Sequence, residues 1–290
     1  MTHPKKAKRA GKVSTKGGTG KSTGSTNLGA FTADAGLRTL LIDLDPSSLP
    51  HPPISLEYTA PGGIFELLSY NETDPAKIIS RTSIKNLDVI ISNDANNQLN
   101  NLILQAPDGR LRLANLMSAF DADYDLILFD TQGARSAMLE MVVLASDIIL
   151  SPSPNMLAAR EFSRGTIHMM DGLRSYARLG LTIPHINIII NGLDETADAR
   201  EIHRTVREIF DGNPDYTVLQ SIIPDAVIFK KAASQGVPAH RLEYRQPSNR
   251  KSPAALNIIR SLAIEAFPEW TDRFEAMTEE RVAQIVKEGR

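Results

Sequence analysis

Between Thr15 and Thr23 the chain reads Thr-Lys-Gly-Gly-Thr-Gly-Lys-Ser-Thr. Gly17, Gly18 and Gly20 leave the backbone bare enough for successive N–H groups to converge on one anion. Lys21 brings a cation to the β- and γ-phosphates of a nucleotide, and Ser22 brings a hydroxyl to Mg²⁺. A helical pattern starts near Gly20, so the positive end of a helix points at the same spot. The chemistry is phosphate binding by Gly17, Gly18, Thr19, Gly20, Lys21, Ser22 and Thr23. The plain alternative is a solvated turn rich in Gly and Lys. The order of glycines, lysine and hydroxyls directly before a helix speaks against it. The usual phosphate-loop pattern has glycine where this chain has Thr15, and Lys16 is an additional cation.

A second element follows at Leu40-Leu41-Ile42-Asp43-Leu44-Asp45-Pro46. An apolar strand that ends in carboxylates sets those acids at the carboxyl edge of a parallel sheet, beside the phosphates. Asp43 then steadies the Mg²⁺ shell or the loop, or is simply an aspartate that starts a turn.

Positioning these groups needs alternating strands and helices. Thr39–Asp43, Leu87–Ile91, Leu126–Asp130, Ile148–Leu150, Ile186–Asn191 and Val218–Ile223 are short runs rich in Ile, Leu and Val, as in strands buried on both faces. Helical patterns occupy Gly20–Ala35, Arg110–Phe120, Ala134–Ala145, Leu157–Leu179, Ala197–Phe210 and Pro253–Phe267. The alternation predicts an α/β fold: a mostly parallel, twisted sheet with helices on both faces. Pro46–Gly63 is expected as a long loop and Arg241–Pro253 as a second irregular segment. Neither resembles a flexible linker, so one domain is expected. Residues 8–14 read Lys-Arg-Ala-Gly-Lys-Val-Ser and offer only Ala10 and Val13 for burial, so the strand before the phosphate loop should be weak.

Of the 290 residues, 42% are apolar and 23% charged, enough apolar matter for a full core and against global disorder. The net charge of −2 confines any nucleic-acid contact to a local basic patch. Absence of cysteine excludes disulfides, thiolate metal sites and cysteine nucleophiles. The basic N-terminus lacks the apolar stretch of a signal peptide, and no run approaches the ~18 apolar residues of a membrane span. A cytoplasmic protein is expected.

The phosphate loop, Lys16-Gly17-Gly18-Thr19-Gly20-Lys21-Ser22, resembles the deviant Walker A loop of the ParA/MinD family of P-loop ATPases. Asp45 before Pro46 resembles that family's Walker A′ aspartate, and the resemblance makes it the residue that orients or activates the attacking water. Tyr124-Asp125-Leu126-Ile127-Leu128-Phe129-Asp130-Thr131 resembles the Walker B strand, whose terminal acid, here Asp130, holds Mg²⁺ directly or through water. The family usually continues with two prolines, where this chain has Gln132-Gly133. That departure resembles a conjugation-associated branch whose type member promotes plasmid DNA transfer. Ile222-Ile223-Pro224, followed by Ala232 and Ser234-Gln235-Gly236, resembles the late strand and adenine-side loop, which makes Pro224 a nucleotide contact. Asn191-Gly192-Leu193-Asp194 is similar to a guanine-reading Asn-Lys-x-Asp but lacks the lysine. ATP is therefore the expected nucleotide, with Asn191 either an adenine contact or a turn residue.

The resemblance covers about Lys12–Phe267 and implies a single-domain P-loop NTPase. It implies an ATP-sandwich homodimer in which Lys16 reaches the phosphates bound by the partner, so that Lys16, Lys21 and Asp45 carry slow ATP hydrolysis. Ser22, Asp43 and Asp130 form the Mg²⁺ set. It further implies nonspecific DNA binding through Lys230, Lys231, Arg241, Arg245, Arg250 and Lys251; a scattered solvated face is the alternative. A site-specific partner of ParB type, or a relaxosome component, would read any DNA sequence, because the phosphate loop starts too early for a helix-turn-helix domain before it. The implied role is plasmid or chromosome partition or conjugative transfer, in a nucleoid-associated cytoplasmic protein. The expected division is a basic tail at 1–10, the ATPase domain at 11–270 and a C-terminal helix packed on it at 271–290. Glu275, Glu279, Glu280 and Glu288 oppose anionic lipid, so no membrane partner is expected. A MinD-like membrane-positioning ATPase and a small-molecule P-loop synthetase or kinase are the competing readings.

Overall fold

Each apolar run expected as a strand forms one in the computed structural model, which describes residues 6–14, 21–46, 54–133, 135–153, 156–193, 197–248 and 252–289. The strands are β1 (Lys8–Lys12), β2 (Thr39–Asp43), β3 (Leu56–Tyr58), β4 (Ser80–Thr82), β5 (Leu87–Ile90), β6 (Leu126–Asp130), β7 (Ile148–Ser153), β8 (His185–Leu193) and β9 (Tyr216–Pro224). They join one 9-stranded sheet in the order β3-β4-β5-β2-β6-β1-β7-β8-β9. From β5 to β9 all pairs are parallel, and β3 and β4 add an antiparallel edge. This is the α/β architecture expected from the alternation.

The helices are α1 (Lys21–Asp34), α2 (Ile64–Tyr70), α3 (Pro75–Ile78), α4 (Gln98–Gln105), α5 (Arg112–Leu116), α6 (Ala137–Ala145), α7 (Met156–Leu173), α8 (Ala197–Phe210), α9 (Val227–Gln235), α10 (Ala239–Leu242), α11 (Ala255–Ala266), α12 (Thr271–Glu275) and α13 (Glu279–Glu288). They divide between two apolar cores, one on each face of the sheet. Leu28 and Phe31 of α1, Leu256 of α11, Phe274 of α12 and Val282 of α13 share a core with Leu126 and Leu128 of β6. Ile127 and Phe129 of the same strand face the other core, with Leu99 of α4, Leu113 of α5, Met141 of α6 and Val206 of α8. Burial on both faces explains why β6 reads as an unbroken apolar run.

Two expectations change. Pro46–Gly63 is not wholly loop, because Leu56–Tyr58 pairs with β4 at the sheet edge. Arg110–Phe120 is not one helix, since α5 is flanked by tighter turns at Gly109–Leu111 and Met117–Phe120.

The largest difference is β1. The segment with little apolar character is the central strand, paired to β6 on one side and β7 on the other. It begins at Lys8, inside the segment assigned from sequence to the basic tail. Charge pairing does what apolar side chains do in its neighbours. Arg9 is buried and donates through Nη2 to both oxygens of Asp121, each at 3.1 Å. The backbone N–H of Arg9 donates to Asp147, at 2.8 Å. Gly11 lies against the end of α6: a Cβ there would sit 2.6 Å from Ser146 Oγ, just after the helix, and 3.0 Å from Val142 Cγ1 on it, so a larger residue would force these side chains to shift.

Asp121→Ala leaves the Arg9 guanidinium buried without its carboxylate. The expected loss is about 3 kcal/mol of unfolding free energy. Lys6→Ala, which breaks an exposed pair with Asp147, should cost at most about 0.5 kcal/mol. Urea unfolding of the two variants checks the contrast, and similar losses would contradict a structural role for the Arg9 pair.

Candidate nucleotide site

β2, β6 and β1 end level with one another: Asp43 pairs in register with Asp130, and Asp130 with Lys12. Both acids are buried, 8% and 4% exposed, on the face covered by α1. Ser25 of α1 donates from Oγ to Asp130 Oδ1, at 3.1 Å. Asp43 accepts through Oδ1 from the backbone N–H of Asp45, at 3.0 Å. It thus starts the turn that carries Asp45 beyond the strand end, and Asp45 itself stands half-buried. Lys21 and Ser22 begin α1, so the helix rises from the end of the sheet that carries the acids. Lys16, Gly17, Gly18, Thr19 and Gly20 lie outside the described residues.

The donor chemistry fits a hard cation. Among the described residues no three His, Asp or Glu side chains converge into a metal cage. Mg²⁺ is usually held by one or two carboxylates together with substrate phosphates, and the adjacent Asp43 and Asp130 can supply those carboxylates.

Beside this edge lies a cavity of about 320 Å³. Thr23, Gly24, Asn27 and Leu28 of α1 form one wall. Asn191 and Gly192 at the end of β8, and Ile223 and Pro224 at the end of β9, form the second. Phe229, Ile259 and Leu262 close it with apolar surface. Asn191 and Pro224, far apart in sequence, therefore meet Thr23 around one chamber, open at the carboxyl ends of parallel strands where open α/β sheets take their ligands. An apolar chamber with a few polar groups suits a planar base. Sequence reasoning missed its apolar wall, because Phe229, Ile259 and Leu262 read as ordinary core residues of amphipathic helices.

A family model described as an AAA domain (AAA_31) matches residues 12–176, from β1 through α7. The chain belongs to the ParA/MinD family of P-loop ATPases. It is 26% identical over 257 residues to the sporulation initiation inhibitor protein Soj of Bacillus subtilis, covering 86% of this chain and 95% of Soj. It is 25% identical over 224 residues to the chromosome partitioning protein ParA of Myxococcus xanthus, 77% of each chain. The structure of McdA from Cyanothece in complex with ATP superimposes with a TM-score of 0.68 at 19% identity, over 96% of this chain and 97% of that one, and so shares the fold.

In this member of the ParA/MinD family the sequence-derived cations have unequal surroundings. Lys231 and Arg245 are exposed, Arg245 over the ring of Tyr244. Lys230 lines the cavity and pairs with Asp225 at 2.7 Å. Arg241 is not an open cation: its guanidinium donates to both oxygens of Asp34, at 2.8 and 2.6 Å. Arg250 and Lys251 lie outside the described residues.

The Asp34 contact belongs to a clamp that fixes α1. His240, fully buried, shares Asp34 through Nε2 at 2.8 Å. About two turns closer to the N-terminus of α1, the backbone N–H of Ala239 donates to Asn27 Oδ1, at 2.7 Å, and Asn27 Nδ2 donates to Thr23 O, at 2.7 Å. The helix behind the phosphate loop is thereby tied to α10 at both levels. Burial pushes the Asp34 carboxyl upward, but hydrogen bonds from Arg241 and His240 outweigh it and hold the group below its ordinary value.

A lowered folded-state value means that the contribution of Asp34 is complete above the ordinary aspartate value of about 3.9 and fades as pH falls through the folded-state value. Asp34→Asn should therefore cost about 2–3 kcal/mol at neutral pH. The gap from wild type should narrow on acidification. Urea midpoints of both proteins between about pH 7 and about pH 3 measure it, and a gap that widens with acid would overturn the assignment.

Proposed function

We propose that this protein is an ATP-dependent dimer switch that binds DNA nonspecifically and moves or segregates DNA, in partition or in conjugative transfer. The observation that carries the reading is the meeting of a base-sized chamber, the N-terminal turns of α1 and the Asp43–Asp130 pair at one edge of the sheet. In this reading the amides of Gly17–Gly20 and the ammonium of Lys21 hold the phosphates of ATP. Asn191 and Pro224 meet the adenine. Ser22, Asp43 and Asp130 hold Mg²⁺, which when bound neutralises charge on the β- and γ-phosphates. Asp45, carried past the strand end by the Asp43 turn, orients the water. Lys16 crosses to the phosphates of the partner protomer, a cation supplied in trans to charge that grows in the transition state.

The relatives in Bacillus and Myxococcus, named for sporulation initiation and chromosome partitioning, support a role in segregating or positioning DNA. Gln132-Gly133 in place of the usual prolines supports the conjugative variant, with a relaxosome component or a ParB-type protein as partner. Val282 of α13 is buried and Ile285 and Val286 pack on the same core, so the apolar side of the C-terminal helix is already covered. That coverage favours a nucleoid-associated protein over a MinD-like one, which would need the same apolar side for a membrane surface. Lys231 and Arg245 are the cations best placed to meet DNA phosphates.

Lys16→Gln should still bind ATP as a monomer, yet lose ATP-dependent dimerisation and hydrolysis, because a charge contact across a dry interface is far stronger than in water. Light scattering with a nonhydrolysable ATP analogue and a phosphate-release assay read both. A Lys16→Gln protein that dimerises and turns over normally would remove the trans-lysine mechanism.

DNA affinity should need ATP and should fall by about 0.9 log unit per log unit of salt for each phosphate contacted. Lys231→Glu with Arg245→Glu should weaken binding to all sequences alike and spare basal hydrolysis. Fluorescence anisotropy on two unrelated duplexes decides this; a loss confined to one duplex, or liposome binding in place of DNA binding, would sink the assignment.

A further inference from the structure

Lys12 is a charged residue at the end of the central strand, buried to 6% exposure. Its neighbours in register are Asp130 on β6 and Leu150 on β7, and Asp130 in turn pairs with Asp43 on β2. In-register residues of parallel strands point to the same face, so a −, −, + row crosses three adjacent strands about 5 Å apart. The face is that of α1: Ala10, Leu41 and Leu128, each two positions before a member of the row, belong to the core beneath that helix.

The helix above has a matching irregularity. Gly24 stands in the second turn of α1, where glycine costs about 1 kcal/mol relative to alanine and needs a reason. A Cβ at Gly24 would lie 1.6 Å from Lys12 Nζ and 3.0 Å from its Cε. The lysine ammonium therefore occupies the volume that any other residue at position 24 would fill. Ser25, the next residue, is the one that bonds Asp130. The strand carries a buried cation and the helix carries the vacancy for it, at the level of the acids.

We propose that Lys12 is a resident counter-ion of the nucleotide site: seated beneath α1 at Gly24, it balances the Asp43–Asp130 pair and lowers the dependence of nucleotide binding on Mg²⁺. The inference rests on the nucleotide-site reading above. Two buried carboxylates side by side repel each other and any incoming phosphate, and a divalent cation relieves both. A fixed ammonium in the same row relieves part of that repulsion in advance. It makes the site less hungry for Mg²⁺ and more tolerant of nucleotide without it.

The test is titration of a fluorescent ADP analogue, with Mg²⁺ and with EDTA, into wild type, Lys12→Met, Gly24→Ala and Lys12→Val/Gly24→Ala, with thermal melts of each and of Lys12→Val. The loss of affinity in EDTA should be about tenfold larger for Lys12→Met than for wild type, the scale of one charge–charge interaction between neighbouring strands at a partly buried site. Gly24→Ala alone should reproduce that larger loss, because its methyl evicts the ammonium. It should lower the melting temperature of wild type but hold or raise that of Lys12→Val, where the space is empty and alanine favours helix. If Lys12→Met does not fold, the glycine variants carry the same comparison. An equal EDTA penalty in all proteins, or the same effect of Gly24→Ala with and without Lys12, overturns the counter-ion role. A wild type that binds ADP in neither buffer removes the nucleotide-site reading itself, and the inference with it.

Discussion

The site depends on where three parallel strands stop. β1, β6 and β2 end level, and hydrogen bonds to their last carbonyls fix that level: Thr131 Oγ1 donates to the carbonyl of Lys12 at 2.8 Å, and the N–H of Leu44 to the carbonyl of Asp130 at 2.9 Å. On the far side the N–H of Val13 reaches the carbonyl of Leu150 at 3.1 Å, and Ser151 Oγ returns to the carbonyl of Val13 at 2.6 Å. A slip of one residue along any of these ladders would turn Asp130 or Asp43 to the opposite face, away from α1. The two-sided core resists such a slip, because Ile127 and Phe129 would have to trade places with Leu126 and Leu128 in differently shaped cores. Apolar packing far from the chemistry thus holds two carboxylates beside a helix N-terminus.

That division explains what the sequence made legible. The β2 and β6 strands are apolar runs whose terminal acids could be read directly, because strands buried on both faces are usually near-continuous apolar runs. The phosphate loop could be read from residue types alone, since few other uses exist for that order of glycines, lysine and hydroxyls. Asn191 and Pro224 were reachable only through resemblance, and the structure brings them to one cavity. The central strand was the least legible element. Strand propensity measures fit to a half-buried apolar surface, and β1 is built instead on partners distant in sequence, Asp121 and Asp147 for Arg9. Nothing local announces such partners. The short antiparallel edge of β3 and β4 was hidden for a related reason: strands of three residues carry too few positions for a periodicity to show.

The cations assigned to DNA from sequence show a further limit of composition. A basic residue in a loop reads as a solvated charge, yet Arg241 lies against Asp34, with its side chain only 16% exposed. The clue in the sequence is weak: Asp34 at the end of α1 sits where a carboxylate opposes the helix dipole, so its presence there calls for cations nearby. Arg241 is such a cation, brought from the far end of the chain together with His240, which bonds the same carboxylate. Net charge could not separate an arginine spent in this way from one free to meet phosphate.

The same helix then links the two ends of the molecule. The first turns of α1 face the row of charges and the nucleotide chamber; its last turn is held by α10, and Asn27 joins both by bonding Thr23 below and Ala239 beside it. Phe31 packs edge-on against His240 and also against Phe274 of α12, so the C-terminal helices rest on the same helix. A helix tied at several levels to rigid partners moves as one body or not at all. The segment carrying Tyr244 and Arg245 thus follows directly on an element, α10, that is bonded to α1 without any strand of the sheet between them. The bidentate Asp34–Arg241 pair fixes α10 in orientation as well as position, because two parallel N–H···O bonds hold the planar guanidinium and the carboxylate edge to edge.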